Sequence, residues 1–401
     1  MVICMRVFTP GYIFQRSITM DDFSTSNDTD IEQIEAFEAL ISDATPIAER
    51  ARYDTPLINR TALRVHGEAI IDNTFITPGP IFDRVRMVNE ILTQMETAGA
   101  VGYSWAIVQN GQLVDAGGVG DARTASEENP KPMRARTKMV SASLAKPICA
   151  VTVMKLVEDG SLDLNQSAYP LIADAFPGGH SSLGDITIQH LLTHQSGFNG
   201  PGTLSAFPDS LAAPLSGTPG TGTRYENWNY WFLAHIVEAI TGEPYVRVAQ
   251  QTVLLPMGIH TMTRNVNEGR QCLYYAAGSS SDGRGWGDFT ATAIGAYGWY
   301  ANAVQWAKFL AHFRHDTVLS PATRRTMLEW SDSIFGFRLW HNSPRGTYYG
   351  HGGDFFTSGG RAFHGGIISF PDGIDAVLLT NSDDVANPES ILMSAYHAAY
   401  I

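Results

Sequence analysis

Apolar residues first recur with helical spacing shortly after residue 81. They lie three or four positions apart, at Phe82, Val85, Val88, Leu92 and Met95. This spacing predicts a helix with one apolar face, and Gly99 indicates where it ends. Upstream, residues 21–30 form a polar tract that can bury little surface. We therefore expect residues 1–80 to be a partly flexible N-terminal extension.

Two pairs of β-prone segments are separated by turn signals. Residues 103–109 and 112–117 flank an Asn-Gly dipeptide, which favours the tight turn of a β-hairpin. Residues 365–370 and 374–380 flank Pro-Asp-Gly in the same way. The pattern predicts one hairpin near each end of the folded region.

The middle of the chain has a helical pattern. From Ile148 to Val157 the residues are apolar nearly all round, which indicates a buried helix. Residues 231–240 form a second helical segment, and Gly242 follows as a C-terminal cap signal. Pro388 is suited to the first turn of a final helix. The order is a strand region, a helical region and a second strand region.

Composition excludes several classes of function. The chain has 401 residues and a formal net charge of -13, so it offers no basic stripe for nucleic acid. Its three cysteines are widely separated and suggest neither a disulfide framework nor a zinc ribbon. No apolar run reaches the roughly 20 residues that span a bilayer, and no signal peptide is recognised. We expect a soluble, cytoplasmic protein with no membrane partner and an undetermined oligomeric state.

The first group that could perform chemistry is Ser143 and Lys146. A three-residue spacing at the start of a helix brings a hydroxyl and an amine to one face. A serine becomes a nucleophile when a base removes its proton, and a lysine serves if its pKa is lowered. By itself this spacing is more typical of a helix-capping serine and a solvated lysine.

Two further groups follow along the chain. Tyr225 could act as a general acid or base near a lysine, and the amide of Asn227 could bind a substrate carbonyl. In His351-Gly352-Gly353, the glycines let a substrate approach strand backbone, and the histidine supplies a switchable donor. His364-Gly365-Gly366 is a competing version of this motif, but it lies closer to the terminal hairpin.

Together the three groups resemble the motifs of the serine β-lactamase and penicillin-binding-protein family, particularly its class C, esterase and D-peptidase branch. Its active sites combine Ser-x-x-Lys, Tyr-x-Asn and Lys- or His-x-Gly in this order. The resemblance extends over about residues 85–400. It includes residues 156–164 and 188–197, which are similar to non-catalytic stretches of the family.

The resemblance implies an α/β fold of the β-lactamase/transpeptidase type, an antiparallel sheet flanked by helices with an inserted helical domain. We expect the α/β domain to comprise residues 81–145 and 285–401. The mainly helical domain is expected at residues 146–284, with the cleft between the two.

The resemblance also implies roles for individual residues. Ser143 would be acylated, while Lys146 and Tyr225 would share proton transfer in an order that the sequence leaves open. Substrate would be bound by Asn227, His351, Gly353 and Asp354. The backbone N–H groups of Ser143 and Asp354 would form the oxyanion hole. No cofactor and no metal are expected.

Departures from the class C motifs affect the substrate. Glu226 stands where class C enzymes have serine, and His351 stands where they have the lysine that helps hold a substrate carboxylate. We therefore expect a serine hydrolase that cleaves small-molecule carboxylic esters. D-amino-acid amides or peptides, β-lactams and biosynthetic acyl transfer remain alternatives, as does a non-catalytic binding protein. A zinc site at His190 and His194 is disfavoured because no glutamate follows His190 and no third ligand is evident.

Overall fold

The computed structural model describes residues 82–198, 204–265, 271–329, 334–343, 345–357, 359–385 and 387–400. The predicted N-terminal extension, residues 1–80, lies outside these ranges. The α-helices in the described part are α1 (Arg84–Ala98), α2 (Ala145–Glu158), α3 (Ile188–Leu192), α4 (Phe207–Ala212), α5 (Asn227–Thr241), α6 (Tyr245–Ala249), α7 (Ala303–Arg314), α8 (Pro321–Leu328) and α9 (Pro388–Ala398).

The strands lie in two parts of the described chain, before α2 and after α6. They are β1 (Gly102–Gln109), β2 (Gln112–Arg123), β3 (Lys131–Pro132), β4 (Met139–Val140), β5 (Tyr275–Ala276), β6 (Tyr300–Ala301), β7 (Arg338–Ser343), β8 (Gly346–Phe356), β9 (Arg361–Ser369) and β10 (Ile374–Thr380).

One antiparallel sheet organises the structure. Its strand order is β3-β2-β1-β10-β9-β8-β7, and β5 pairs with the start of β9. β4 and β6 form a separate two-stranded pair. The central pairing of β1 with β10 joins strands from opposite ends of the described chain, with Tyr103 opposite Thr380. The predicted α/β class, an antiparallel sheet flanked by helices, is confirmed.

Both predicted hairpins are confirmed, and their turns explain them. Asn110 and Gly111 have φ values of 50° and 76°, the positive pair that a two-residue hairpin turn requires. Asp372 and Gly373 have φ values of 61° and 74°. Aspartate and asparagine tolerate this region because their short polar side chains bond locally. Turn chemistry therefore sets the register of both strand pairs.

Helices cover both faces of the sheet. Along β10, Ala376 and Leu378 belong to one buried cluster, and the alternate residues Val377 and Leu379 belong to another. The first cluster includes side chains of α1 and α9, such as Met87, Ile91, Leu392 and Tyr396. The second includes side chains of α7, such as Trp306 and Phe309. A strand buried on both faces is mainly apolar, and β10 is apolar apart from Asp375 and Thr380.

The predicted helices form with small shifts at their ends. α1 ends at Gly99, which has φ 78°, and α2 is buried from Ala145 to Met154 as its apolar sequence predicts. α5 begins at Asn227, four residues before the predicted start at Trp231. This early start places Asn227 in the first turn of the helix. No helix in the described ranges is both long and apolar enough to cross a membrane.

Candidate active site

The predicted nucleophile lies on a tight turn between β4 and α2. Ala142 to Leu144 form one 3₁₀ turn, and Ala142 has φ 46°, an unfavourable value for a residue with a Cβ. The turn is fixed because the backbone N–H of Ser141 donates to the Trp299 carbonyl oxygen at 2.7 Å. Ser143 is half-buried and lies at the amino end of α2, where free N–H groups favour developing negative charge.

Lys146 is fully buried one turn after Ser143. Its Nζ lies 3.0 Å from Ser143 Oγ, 2.8 Å from Asn227 Oδ1 and 3.1 Å from the Ala296 carbonyl oxygen. Burial lowers the pKa of Lys146 to about 7, because the surrounding protein solvates the charged amine poorly. The amine is therefore available in its neutral form near neutral pH.

Tyr225 lies on the segment that leads into α5. The Lys146 Nζ is 4.7 Å from the centre of its ring, and the Tyr225 hydroxyl bonds to Ser143. The residue keeps 41% of its surface exposed, although its hydroxyl end is surrounded by protein. That burial, together with the Asp354 carboxylate, raises the pKa of Tyr225 above its ordinary value. Tyr225 is therefore a protonated phenol at neutral pH.

Asn227 contacts the lysine rather than the serine. Its Oδ1 accepts a hydrogen bond from Lys146 Nζ, which leaves the side-chain NH₂ able to donate elsewhere. Ala296, whose carbonyl oxygen is the third contact of the lysine, was not predicted as a site residue. A backbone carbonyl carries no side-chain signal, so residue types alone could not reveal this contact.

His351 and Gly353 lie on β8, which runs beside the nucleophile turn. A Cβ added to Gly353 would lie 2.7 Å from the Ser141 carbonyl oxygen and 3.2 Å from the Leu144 nitrogen. Only glycine therefore allows β8 to come this close to the turn. His351 is buried, and the centre of its ring lies 6.1 Å from that of Tyr225.

The protonation of His351 differs from the sequence expectation of a switchable donor. Burial, reinforced by the Lys146 charge, lowers its pKa to about 3, so the ring is neutral at physiological pH. Its Nδ1 bonds to the Gly352 carbonyl oxygen, so Nδ1 holds the proton and Nε2 is an acceptor. Within the described residues Nε2 is buried without a partner.

Asp354 and the competing histidine His364 face each other across β8 and β9. His364 Nδ1 lies 2.6 Å from Asp354 Oδ1, and its Nε2 lies 3.0 Å from Asp383 Oδ1. Burial alone would lower the pKa of His364, but its bonds to the two carboxylates raise it. Because His364 is engaged on both ring nitrogens, the geometry favours His351 over His364 as the histidine of the third motif.

Two carboxylates near the predicted site residues, those of Glu226 and Glu389, have different surroundings. Glu226, which departs from the class C motif, is buried, and its Oε1 accepts a bond from Arg224 Nε at 3.0 Å. Glu389, on α9, was not predicted as a site residue. Its carboxylate lies against Gly352, where an added Cβ would be 1.8 Å from Glu389 Oε1. Burial raises the pKa of Glu389, as does the charge of Asp354.

His190 and two aromatic residues that follow Tyr225 in the sequence have structural partners. His190 Nδ1 accepts the backbone N–H of Thr187 and so caps α3. Trp228 and Tyr230 are buried and belong to a packed core cluster. Within the described ranges, no group of three or more His, Cys, Asp or Glu side chains is placed to hold a metal ion.

A surface cavity of about 810 Å³ lies elsewhere, and none of the predicted site residues lines it. Its charged lining residues pair with neighbouring groups: Lys155 with Glu158 at 3.1 Å, and Arg314 with Asp375 at 2.8 Å. This cavity offers no group comparable to the Lys146 amine.

Comparisons with known proteins identify the family and several relatives of the chain. A family model described as Beta-lactamase matches residues 88–388. Over 186 residues the chain is 28% identical to PbpX of Bacillus subtilis (strain 168), named as a penicillin-binding protein, covering 44% of each chain. Over 161 residues it is 31% identical to Esterase EstB of Burkholderia gladioli, covering 34% of this chain and 40% of that one. The chain thus spans less than half the length of these two curated relatives.

Solved structures share the fold. EstCE1, described as a hydrolase with promiscuous acyltransferase activity, superposes with a TM-score of 0.66 at 19% identity. The match covers 79% of this chain and 98% of that chain. At this identity the likeness shows a common fold, and function has to be argued from the site.

Proposed function

The chain belongs to the β-lactamase family, which includes serine hydrolases, and on that premise we propose that it is a serine hydrolase acylated at Ser143. The observation that carries the proposal is the contact between Lys146 and Ser143. A fully buried amine with a pKa of about 7 lies 3.0 Å from the hydroxyl. A lysine in this state is a general base matched to neutral pH.

The contacts of Lys146 suit this role. A neutral amine has two hydrogens and one lone pair. The acceptors Asn227 Oδ1 and Ala296 O take the two hydrogens, so the lone pair is directed to the Ser143 hydroxyl. After proton transfer all three N–H bonds have acceptors. The proton therefore moves without rearrangement of the site.

In the first step, Ser143 Oγ forms a bond to the carbonyl carbon of the ester while its proton passes to Lys146. The carbon–oxygen bond to the alcohol then breaks, and the leaving alkoxide takes a proton from the Tyr225 phenol, which recovers one from Lys146. The products of this step are the acyl-enzyme on Ser143 and the free alcohol. Tyr225 is the acid in this scheme because its raised pKa keeps it protonated.

In the second step water attacks the acyl carbon. The water gives its proton to Lys146. The bond between the acyl carbon and Ser143 Oγ then breaks, and Lys146 returns the proton to Ser143 Oγ. The carboxylic acid leaves. We assign the oxyanion of both steps to the backbone N–H groups of Ser143 and Asp354, because Gly353 brings β8 against the nucleophile turn. Asn227 and His351 then orient the substrate.

Carboxylic esters are the preferred substrate class because the third motif carries no positive charge. His351 is neutral, and the carboxylates of Asp354 and Glu389 lie nearby. A substrate carboxylate would meet repulsion on that side, whereas a neutral ester would not. The relative EstB, named as an esterase, is consistent with this choice.

A second candidate is an amide or peptide substrate that carries a free carboxylate. It is favoured by Arg338 on β7, which is exposed and influences the pKa values of Tyr225, His351 and Glu389. Arg338→Ala separates the two candidates. It should weaken hydrolysis of an anionic substrate and leave hydrolysis of a neutral ester within about 2-fold.

The experiment that tests the proposed substrate class compares three reporters at equal concentration: p-nitrophenyl acetate, a D-alanine p-nitroanilide and nitrocefin. We expect the highest kcat/KM for p-nitrophenyl acetate and loss of that turnover in Ser143→Ala. Faster turnover of the anilide would favour the amidase alternative, and faster turnover of nitrocefin the β-lactamase alternative. Acyl transfer is measured by adding an alcohol and quantifying the new ester.

A further inference from the structure

His194 holds the segment that carries Tyr225 at three consecutive residues. The His194 carbonyl oxygen accepts the backbone N–H of Arg224 at 2.8 Å. Its ring Nδ1 accepts the backbone N–H of Glu226 at 3.2 Å. Between them the His194 ring stacks on the Tyr225 ring, with centres 4.4 Å apart and planes inclined by 29°. Backbone and ring of one residue thus fix Arg224, Tyr225 and Glu226 together.

The His194 ring is itself fixed in position. Its Nδ1 also lies 3.0 Å from Asn229 Nδ2, and Asn229 Oδ1 accepts the Ser196 hydroxyl at 2.5 Å. A backbone N–H can only donate, so Nδ1 of His194 must be an acceptor and Nε2 must carry the proton. Burial lowers the pKa of His194 well below its ordinary value, and the Lys146 charge adds to this. The acceptor state therefore persists across the physiological range.

Two features of His194 are energetically unfavourable. His194 has φ 56°, in the left-handed region that residues with a Cβ rarely adopt. Its Nε2–H is buried with no partner among the described residues. An apolar side chain would avoid the second penalty, but it would leave the Glu226 backbone N–H without its acceptor. The contacts to residues 224–226 therefore account for a histidine at this position.

We propose that His194 is a positioning residue for Tyr225, which keeps the phenol in place beside Ser143 and Lys146. The proposal rests on the proposed function, since it assigns His194 an effect on the reaction that acts through the Tyr225 hydroxyl. A catalytic group displaced by about 1 Å loses on the order of 100-fold in rate. Release of this segment should therefore slow acylation without altering the nucleophile.

The test is a double-mutant cycle of His194→Ala with Tyr225→Phe, measured as kcat and KM for p-nitrophenyl acetate. In the wild-type background His194→Ala should lower kcat by about 30- to 100-fold with little change in KM. In the Tyr225→Phe background it should lower kcat by less than about 3-fold, because the hydroxyl that it positions is absent. Equal losses in both backgrounds would overturn the proposal, since a merely structural role acts regardless of the hydroxyl.

His190→Ala is the matched control. His190 lies four residues earlier and caps α3, but it contacts none of residues 224–226 in the hydrogen bonds described. It should lower Tm and leave kcat within about 3-fold. If His194→Ala does not fold, the same cycle is run with His194→Asn, which tolerates the left-handed conformation and removes the stacked ring.

A second readout does not depend on catalysis. Amide hydrogen exchange at Arg224 and Glu226 should be slow in the wild type and in His190→Ala, and at least about 10-fold faster in the His194 variant. Unchanged exchange would contradict the positioning role. A wild-type protein that neither turns over the ester nor reacts with a fluorophosphonate would count against the proposed function alone, and the exchange rates would still decide the role of His194.

Discussion

The Lys146 amine and the Ser143 hydroxyl lie 3.0 Å apart, one turn of helix from each other and shielded from solvent on the lysine side. The distance follows from the three-residue spacing, because residues i and i+3 of a helix share a face. The reactivity follows from burial, which lowers the pKa of the lysine to about 7. The helical spacing therefore brings the two groups together, and burial makes the lysine a base at neutral pH.

The first prediction concerns pH. If neutral Lys146 is the base, kcat/KM for p-nitrophenyl acetate should rise as pH increases from 5 and level off above about 8, with an apparent pKa near 7. The rate rises with pH because protonation of Lys146 removes the lone pair that accepts the proton of Ser143. His351 has a pKa of about 3, so its titration should not change kcat/KM in this pH range. A rate that falls with increasing pH between 6 and 8 would exclude Lys146 as the base.

The second prediction concerns Tyr225. Tyr225→Phe keeps the ring that stacks on His194 and removes the hydroxyl that bonds to Ser143. We expect kcat to fall by about 100- to 10,000-fold, as is typical for loss of a general acid–base group, with Tm changed little. Tyr169→Phe is the control, because the Tyr169 hydroxyl bonds only to backbone of residues 176 and 179 in the described structure. Similar losses in both variants would refute a catalytic role for Tyr225.

The third prediction concerns the approach of β8 to the nucleophile turn. In Gly353→Ala the new methyl group would lie 2.7 Å from the backbone oxygen of Ser141, so β8 or the turn has to move. We expect at least a 10-fold lower kcat/KM, because the oxyanion donors and Ser143 separate. Gly287→Ala is matched, since no heavy atom lies within 4 Å of its added Cβ. Full activity in Gly353→Ala would show that this approach is unnecessary.

The fourth prediction concerns stability away from the site. Asp375 is fully buried on β10, and its Oδ1 accepts Arg314 Nη2 at 2.8 Å and the Ser369 hydroxyl at 2.5 Å. Asp375→Ala leaves the Arg314 charge without this partner, so the free energy of unfolding should fall by about 3–5 kcal/mol. The measurement is urea denaturation.

The exposed pair of Glu243 and Arg247 is the comparison for that prediction. Their atoms lie 3.3 Å apart, and both side chains are close to half exposed. Glu243→Ala should lower the free energy of unfolding by less than about 1 kcal/mol, because solvent screens the pair. Equal effects of the two substitutions would indicate that burial does not strengthen the Arg314 pair.

The features that were predicted correctly are those determined by residues close together in the sequence. The hairpin at Asn110-Gly111 forms because both residues adopt positive φ, and α1 ends where Gly99 allows the left-handed cap. Ser143 and Lys146 meet for the same reason, because helical spacing brings them together. Each of these features can be read from a few neighbouring residues.

The features that were not predicted depend on chain segments far apart in sequence. Ala296 contacts Lys146 through its backbone oxygen, which no residue type signals. Glu389 reaches Gly352 only because α9 packs on the sheet, and the neutral state of His351 depends on its burial. His194 was considered from the sequence as part of a disfavoured zinc site, and its contacts to residues 224–226 arise from tertiary folding. Contacts between distant segments, and the burial of a single polar side chain such as His351, have no local pattern.

The measurement that tests the central claim most directly is intact mass spectrometry after incubation with a fluorophosphonate, followed by peptide mapping. The account predicts one adduct, located on Ser143, that forms faster as pH increases through about 7 and is absent in Ser143→Ala. Ser141→Ala, which alters a serine bonded to the Trp299 carbonyl oxygen in the same turn, should still be labelled. An adduct that persists in Ser143→Ala, or no adduct on folded wild-type protein, would contradict the assignment of Ser143 as the nucleophile.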